Sequence, residues 1–135
     1  MKIILLSDDA IRLVPEPGPM TIEASSIEQQ YSPFHMLASS LATCTFSVLH
    51  SWAANAKLSA DDLAIEVRWQ FAQEPYRVGE MRLTYDWPSL PPSRIRAVVR
   101  AAELCTVHAT LRHSPSIVVE PSATPIGAAA ADATG

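Results

Sequence analysis

The sequence predicts an α+β protein in which two main helices pack on an antiparallel sheet. Three observations predict this class. Six short segments are apolar or alternate between apolar and polar residues, as half-buried strands do. A long uncharged segment after Pro33 has near-helical apolar spacing, and a second helical stripe begins at Ile95. Because the order is strands, helix, strands, helix, strand, we expect helices packed on one sheet in a single domain.

Composition and charge indicate a folded chain without a nucleic-acid partner. The chain has 135 residues, of which 48% are hydrophobic and 18% charged. A domain of this length can bury a core without metals or disulfides. The net charge is −4, and the basic residues are scattered apart from Arg94, Arg96 and Arg100. A nucleic-acid partner is therefore not expected. We interpret the arginine cluster as a solvated face, with an anionic partner as the alternative.

Neither a secretory signal nor a membrane span is predicted. The N-terminal MKIILLSDDAIR has only four apolar residues between its lysine and two aspartates, too few for a signal peptide. The weakly polar stretch from Leu37 to Ala56 contains serines, threonines, a histidine and an asparagine, which favours a buried helix over a bilayer span. We therefore expect a cytoplasmic protein that does not bind membranes. In that reducing compartment its two cysteines are not expected to form a permanent structural disulfide.

Three N-terminal strands precede the first predicted helix. They are the apolar run at residues 2–6, Ala10–Val14 and Met20–Ala24, with prolines separating the last two. The helix begins at Pro33, with Ser32 as its N-cap. We expect it to end near residues 56–57 and to be buried on most sides, because apolar residues recur at near-helical spacing while its other faces carry alanine. Those apolar residues are Met36, Leu37, Leu41, Val48, Leu49 and Trp52.

The second half of the chain predicts a hairpin, a helix and a last strand. The hairpin strands are Leu63–Phe71 and Val78–Tyr85, joined by the loop QEPYR. After three prolines, a second helix capped by Ser93 or Ser89 carries one apolar stripe. That stripe consists of Ile95, Val98, Val99, Ala102 and Cys105. A last strand at Ser116–Glu120 precedes an alanine-rich and threonine-rich tail, residues 121–135, which we expect to be flexible.

The two cysteines lie on the buried stripes of separate predicted helices. Both are compatible with plain core packing, since cysteine is often buried. Cys105 and His108 also have the two-residue gap that zinc ligands use. Redox chemistry is the third reading, and it requires a thiolate at Cys44. Because Cys44 lies about three turns from the start of its helix, a cation would have to come from another element. The candidates are Arg12, Arg68, Arg77 and Arg82.

Two segments carry a resemblance to a known family. SPFHMLASSLATC, which ends at Cys44, resembles the first cysteine signature of the OsmC/Ohr family of peroxide-reducing proteins. AAELCTVHATL, around Cys105, is similar to the second cysteine motif of that family. The resemblance covers roughly Met20 to Glu120. The two motifs together are fairly specific, whereas either alone is weak.

The resemblance implies a fold, an assembly and an activity. Residues 1–120 would form an OsmC-like domain within an intertwined homodimer, in which the central helices pack inside and both subunits build the active sites. Cys44 would be the peroxidatic cysteine and Cys105 the resolving one, in an oxidoreductase that reduces organic hydroperoxides with an external thiol reductant. No cofactor or metal is implied. An N-terminal arginine stabilises the thiolate in such peroxidases, and by sequence order this would be Arg12.

The sequence departs from that pattern at Phe34 and Thr106. Phe34 lies ten residues before Cys44, where the family has a glutamate that orients the arginine, and Thr106 stands where a proline is common. The alternative function is therefore a non-catalytic OsmC-like dimer that binds an apolar small molecule. Both functions need an apolar pocket near Cys44. The candidate walls of this pocket are Phe34, Met36, Phe46 and Trp52.

Overall fold

The computed structural model describes residues 1–124 and contains one five-stranded sheet and three α-helices. The strands are β1 (Lys2–Ser7), β2 (Ala10–Val14), β3 (Thr21–Ala24), β4 (Ala64–Ala72) and β5 (Arg77–Asp86). The helices are α1 (Pro33–Asn55), α2 (Ile95–Ala102) and α3 (Thr106–Arg112), and a 3-10 turn at Pro92–Arg94 leads into α2. The α+β class is confirmed. Most of the tail predicted at residues 121–135 lies outside the described residues.

The sheet has the strand order β3-β1-β2-β4-β5 and is antiparallel except at one pair. β1 and β3 run parallel, with Lys2 opposite Thr21. β2 ends at Val14, which also lies opposite Lys2, so the chain must turn around the start of β1 before it enters β3. The proline-rich segment at residues 15–20, with Gly18 at a positive φ of 100°, makes that turn. β3 therefore enters the sheet in the same direction as β1.

The core lies between one face of the sheet and α1. The alternate residues of β4 that the sequence assigned to one face are all buried, as are their counterparts on β1 and β2. Because side chains alternate across a strand, the intervening residues of the same strands face the other side of the sheet. The large buried strand residues on this face are Ile3, Leu5, Ile11, Leu13, Ile65, Val67 and Trp69.

α1 begins at the predicted cap, which is reinforced by a histidine. The Ser32 hydroxyl accepts the backbone N–H of His35 (3.2 Å), and the Ser32 N–H donates to Nδ1 of His35 (3.0 Å). This is a capping box in which histidine takes the place of the usual glutamate or glutamine. Nε2 of His35 donates to the Ser7 carbonyl (2.8 Å), which ties the start of α1 to the end of β1. Within residues 1–124, no helix has both the length and the apolarity needed to cross a membrane.

The predicted second helix is wrong as a single element. The chain leaves the helix after Ala102, and Cys105 is the N-cap of α3 rather than a member of the stripe of α2. Two tight backbone bonds, from Leu104 N–H to Ala101 O (3.0 Å) and from Cys105 N–H to Ala102 O (3.3 Å), turn the chain there. The predicted serine caps are also wrong, because α2 has no side-chain cap.

The predicted last strand is wrong as well. Ser116–Glu120 has no regular secondary structure, and no strand among the described residues pairs with it. Ile117, Val118 and Val119 are 81%, 76% and 92% exposed. A run of β-branched residues favours a strand only where an edge is available to pair with it.

Candidate active site

The structure brings the two predicted cysteines together. Cys44 lies in the middle of α1 and is partly buried, whereas Cys105 is fully buried at the start of α3. Both are free thiols, and each shifts the pKa of the other. The Cys44 sulfur also lies 3.7 Å from the hydroxyl oxygen of Thr106. The junction between α2 and α3 thus places three polar groups within reach of each other.

Cys105 serves as the cap of α3. Its sulfur accepts the backbone N–H of His108 (3.4 Å), so the spacing between these residues is that of a cap and the third residue of a helix. The imidazole of His108 takes no part in this bond. Within the part of the chain that the structure describes, no group of three or more histidine, cysteine or acidic side chains is arranged to hold a metal ion.

The two thiols differ in acidity. Burial raises the pKa of Cys44, but hydrogen bonds from Cys105, from the amides of Val107 and Thr106 and from the Thr106 hydroxyl outweigh it, so the pKa is lowered. Burial also raises the pKa of Cys105, and its interaction with Cys44 raises it further. The pair therefore consists of Cys44, which ionises more readily than an ordinary cysteine, and Cys105, which ionises less readily, so Cys44 is the thiol expected to react first.

Arg12 is not close to Cys44 within the chain. Its guanidinium lies with the side chains that face away from α1 and pairs with Asp86 (3.0 Å) and Glu66 (3.5 Å). The other three candidate arginines are engaged elsewhere as well. Arg68 binds Glu66, Arg82 binds Glu80, and Arg77 binds the carbonyl oxygens of Gln73 and Pro75. Hydrogen-bond donors, rather than any guanidinium of residues 1–124, account for the lowered pKa of Cys44.

Phe34 belongs to an aromatic cluster. Its ring meets Phe71 edge-on at 4.9 Å between centroids, and Phe71 stacks on Tyr76 at 4.8 Å. The position that carries a carboxylate in the peroxidases that this sequence resembles therefore connects α1 to the tip of the β4–β5 hairpin. It contributes packing there instead of orienting an arginine.

An apolar cavity of about 550 Å³ lies beside the cysteine pair, between α1, β5, α2 and α3. Thr45 and His108 line it and connect it to the pair. The Thr45 side chain lowers the pKa of Cys105, and the His108 amide donates a hydrogen bond to the same sulfur. The four walls predicted from sequence do not contribute to this cavity. Its apolar lining includes instead Leu37, Leu41, Met81, Leu83, Tyr85 and Leu111.

Sequence reasoning missed Thr45 and Thr106 as members of the site. Each threonine directly follows a cysteine, in the segments ATCT around Cys44 and LCTV around Cys105. That repetition was the available signal. It could not show that Thr106 would face Cys44, because the contact crosses 62 positions of the chain.

Comparisons with known proteins agree with this fold. A structure of a protein from Psychrobacter arcticus 273-4, named for the osmotic stress and detoxification response, has a TM-score of 0.56 at 24% identity and covers 62% of each chain. A protein from Lactobacillus casei ATCC 334 named as a redox protein has a TM-score of 0.54 at 22% identity and covers 67% of each chain. An OsmC-like hydroperoxide resistance protein from Jannaschia sp. CCS1 has a TM-score of 0.53 at 21% identity and covers 74% of this chain and 73% of its own.

These identities establish a shared fold only, and this chain spans 62% of the length of the Psychrobacter protein. No curated protein sequence matches the chain. The sequence pattern of the OsmC-like protein family, however, matches residues 26–120, a segment that contains both cysteines and their threonines. Because this match extends over more than half of the sequence, the chain belongs to the OsmC-like family.

Proposed function

We propose that the protein is a thiol-dependent peroxidase that reduces organic hydroperoxides through Cys44 and Cys105. The observation that carries the proposal is the asymmetric pair: hydrogen-bond donors lower the pKa of Cys44 beside a buried thiol whose pKa is raised. Membership of the OsmC-like family supports it, as does the fold shared with a protein named for hydroperoxide resistance.

The proposed reaction takes place in two steps. The Cys44 thiolate attacks one oxygen of the peroxide. An S–O bond forms, the O–O bond breaks, and the second oxygen takes up a proton and leaves as the alcohol. The Cys105 thiol then attacks the sulfur of the resulting sulfenic acid, which forms a disulfide and releases water. An external thiol reductant returns two electrons by thiol–disulfide exchange. We expect this cycle in the cytoplasm, where such thiols are kept reduced.

The cavity accounts for the choice of an organic substrate. Its lining is mainly apolar, and its volume of about 550 Å³ lies within the range of small-molecule sites. An alkyl group bound there would lie beside Thr45 and His108, which both contact Cys105. We therefore propose that it holds the organic part of the hydroperoxide. Hydrogen peroxide would gain nothing from this surface.

A homodimer is part of the proposal. A single chain leaves Val99 and Leu111 47% and 39% exposed at the rim of the cavity, and Leu104 at the α2–α3 junction is 75% exposed. Contiguous exposed apolar surface on a protein usually marks an interaction site. A second copy of the chain placed over this rim would cover these residues and narrow the entrance to the cavity.

Stopped-flow oxidation of the reduced protein tests the proposal. Loss of thiol on mixing with an alkyl hydroperoxide should be faster than for free cysteine, because more of Cys44 is ionised at neutral pH. It should also be faster than with hydrogen peroxide at the same concentration, because of the cavity. Thiol loss no faster than that of free cysteine would contradict the peroxidase assignment.

The second candidate function is non-catalytic binding of an apolar small molecule. The size and apolar lining of the cavity favour it, as does Phe34 in its aromatic cluster. A fluorescent apolar probe should then bind the reduced protein and be displaced by the physiological ligand, while thiol loss stays at the rate of free cysteine. Rapid thiol loss with alkyl hydroperoxide excludes this alternative.

A further inference from the structure

The Cys44 thiolate needs a stabilising partner, and the hydroxyl of Thr106 lies within reach of it. The two atoms are 3.7 Å apart, within the range of a hydrogen bond to sulfur. Arg12 is held by Asp86 and Glu66 among the side chains that face away from α1. Within residues 1–124, the groups that lower the pKa of Cys44 thus include this hydroxyl and no guanidinium.

The start of α3 leaves hydrogen-bond donors of Thr106 without partners inside the helix. Cys105 is extended (φ −60°, ψ 125°), and Thr106 is the first helical residue. The N–H groups of the first turn of a helix have no partner within the helix. The amides of Thr106 and Val107 both contribute to the lowered pKa of Cys44. The Thr106 hydroxyl adds a donor to this pair of amides, on the side of the helix that faces α1.

A proline at position 106 would remove two of these donors without disturbing the fold. Proline is well tolerated at the first helical position, and the extended conformation of Cys105 suits a residue that precedes proline. Proline has neither a backbone N–H nor a hydroxyl, however. The choice of threonine at this position therefore affects Cys44 directly.

We propose that the Thr106 hydroxyl stabilises the Cys44 thiolate in this protein and takes the part that an arginine would otherwise play. In the proposed peroxidase cycle, it holds the nucleophile ionised before the peroxide arrives. This use in catalysis rests on the proposed function, whereas the effect of the hydroxyl on ionisation does not.

The test is the pH dependence of Cys44 alkylation by iodoacetamide, followed at that residue by peptide mass spectrometry with both cysteines retained. In the wild type, the inflection should lie below that of free cysteine. Thr106→Val keeps the β-branched shape and removes the hydroxyl, so it should raise the inflection by about 0.5 to 1 pH unit. Below the inflection the alkylation rate should fall only about two- to threefold, because the smaller thiolate fraction is partly offset by the greater nucleophilicity of a more basic thiolate.

Three further variants make the result specific. Thr106→Ser keeps a hydroxyl and should retain the wild-type inflection, whereas Thr106→Pro should raise it at least as much as Thr106→Val. The matched control is Thr110→Val, one turn along α3, where the hydroxyl binds the Thr106 carbonyl (2.7 Å) and should leave the inflection unchanged. Thr106→Ala replaces Thr106→Val if the latter does not fold.

The proposal is overturned if Thr106→Val has the wild-type inflection, or if Thr110→Val shifts it equally. A shift of the inflection in Thr106→Pro but not in Thr106→Val would assign the stabilisation of the thiolate to the Thr106 amide. That result would also overturn the proposal. Because alkylation needs no peroxide, these outcomes are independent of the stopped-flow result. Failure of the peroxidase proposal and failure of the Thr106 proposal can therefore be told apart.

Discussion

At the scale of single residues, the site shows how two identical thiols acquire different roles. Cys44 lies in the middle of a helix, where no helix terminus of its own can help it, and receives donors from α3 instead. Cys105 is fully buried, and its sulfur accepts a hydrogen bond from the His108 amide. Opposite changes in pKa follow from these surroundings rather than from the residue type.

Replacing each cysteine by serine should separate the two proposed steps. Cys44→Ser should abolish the reaction with alkyl hydroperoxide, since the nucleophile is lost. Cys105→Ser should react in the first step and then accumulate a sulfenic acid, which dimedone labelling and mass spectrometry detect. If Cys105→Ser turns over with a small-thiol reductant as fast as the wild type, Cys105 is not the resolving residue.

The sequence predicted the two cysteines but not their partners. Cys44 and Cys105 could be found because each lies within a recognisable motif. Arg12 was chosen by sequence order, which does not reveal that its side chain faces away from α1 to pair with Asp86, 74 positions away. Its role at Cys44 remains a prediction. The contact of Thr106 with Cys44 depends on the turn between α2 and α3, for which the sequence gives no glycine or proline signal.

At the scale of secondary structure, local signals were reliable where they came from side-chain chemistry. Ser32 and Pro33 determine the start of α1 because a cap and a first-turn proline act on their own neighbours. Apolar spacing was less reliable. Val98 and Cys105 are seven residues apart, which fits one stripe, yet a turn separates them. The segment Ser116–Glu120 failed for another reason, since pairing depends on a partner that propensity cannot supply.

Gly79 offers a test of how tightly the β4–β5 hairpin is built. It is the extra residue at a bulge, where Phe71 pairs with Val78 and Gln70 with Glu80. A Cβ at Gly79 would lie 2.6 Å from the Cβ of Ala72. Gly79→Ala should therefore lower the free energy of unfolding by about 1 to 3 kcal/mol, measured by urea denaturation.

The control for this prediction is the double variant Gly79→Ala with Ala72→Gly. It removes the opposing Cβ and should recover part of the lost stability, even though glycine is itself unfavourable in a strand. Equal unfolding free energies for wild type and Gly79→Ala would show that the hairpin accommodates the methyl group. Because Gly79 lines the cavity, the same variant could then be used to measure how an added methyl group in the cavity affects ligand binding.

At the scale of the whole molecule, the described surface is unevenly polar. The side of the sheet that faces away from α1 carries ion pairs, such as Arg12 with Glu66 and Asp86. The opposite side, around α2 and α3, exposes Val99, Leu104 and Leu111. The apolar side is the one on which the proposed dimer would form.

The proposed dimer can be tested by sedimentation velocity over a range of protein concentrations. The wild type should sediment as a dimer. Val99→Asp should shift the equilibrium towards the monomer, because it places a charge at the apolar rim. The control is Ile27→Asp, at a fully exposed position before α1, which should leave the assembly unchanged. A wild-type monomer at every concentration would contradict the dimer.

The cap of α3 has a practical consequence for experiments on this site. The Cys105 sulfur both caps α3 and, in the proposed cycle, acts as the resolving thiol. Deleting this side chain would therefore remove both roles at once. Alanine is a poor cap. A Cys105→Ala variant would therefore lose activity both through the missing thiol and through a less stable start of α3, where Thr106 contacts Cys44. Serine is among the best caps. Cys105→Ser therefore removes the resolving thiol while keeping a side-chain cap at the start of α3.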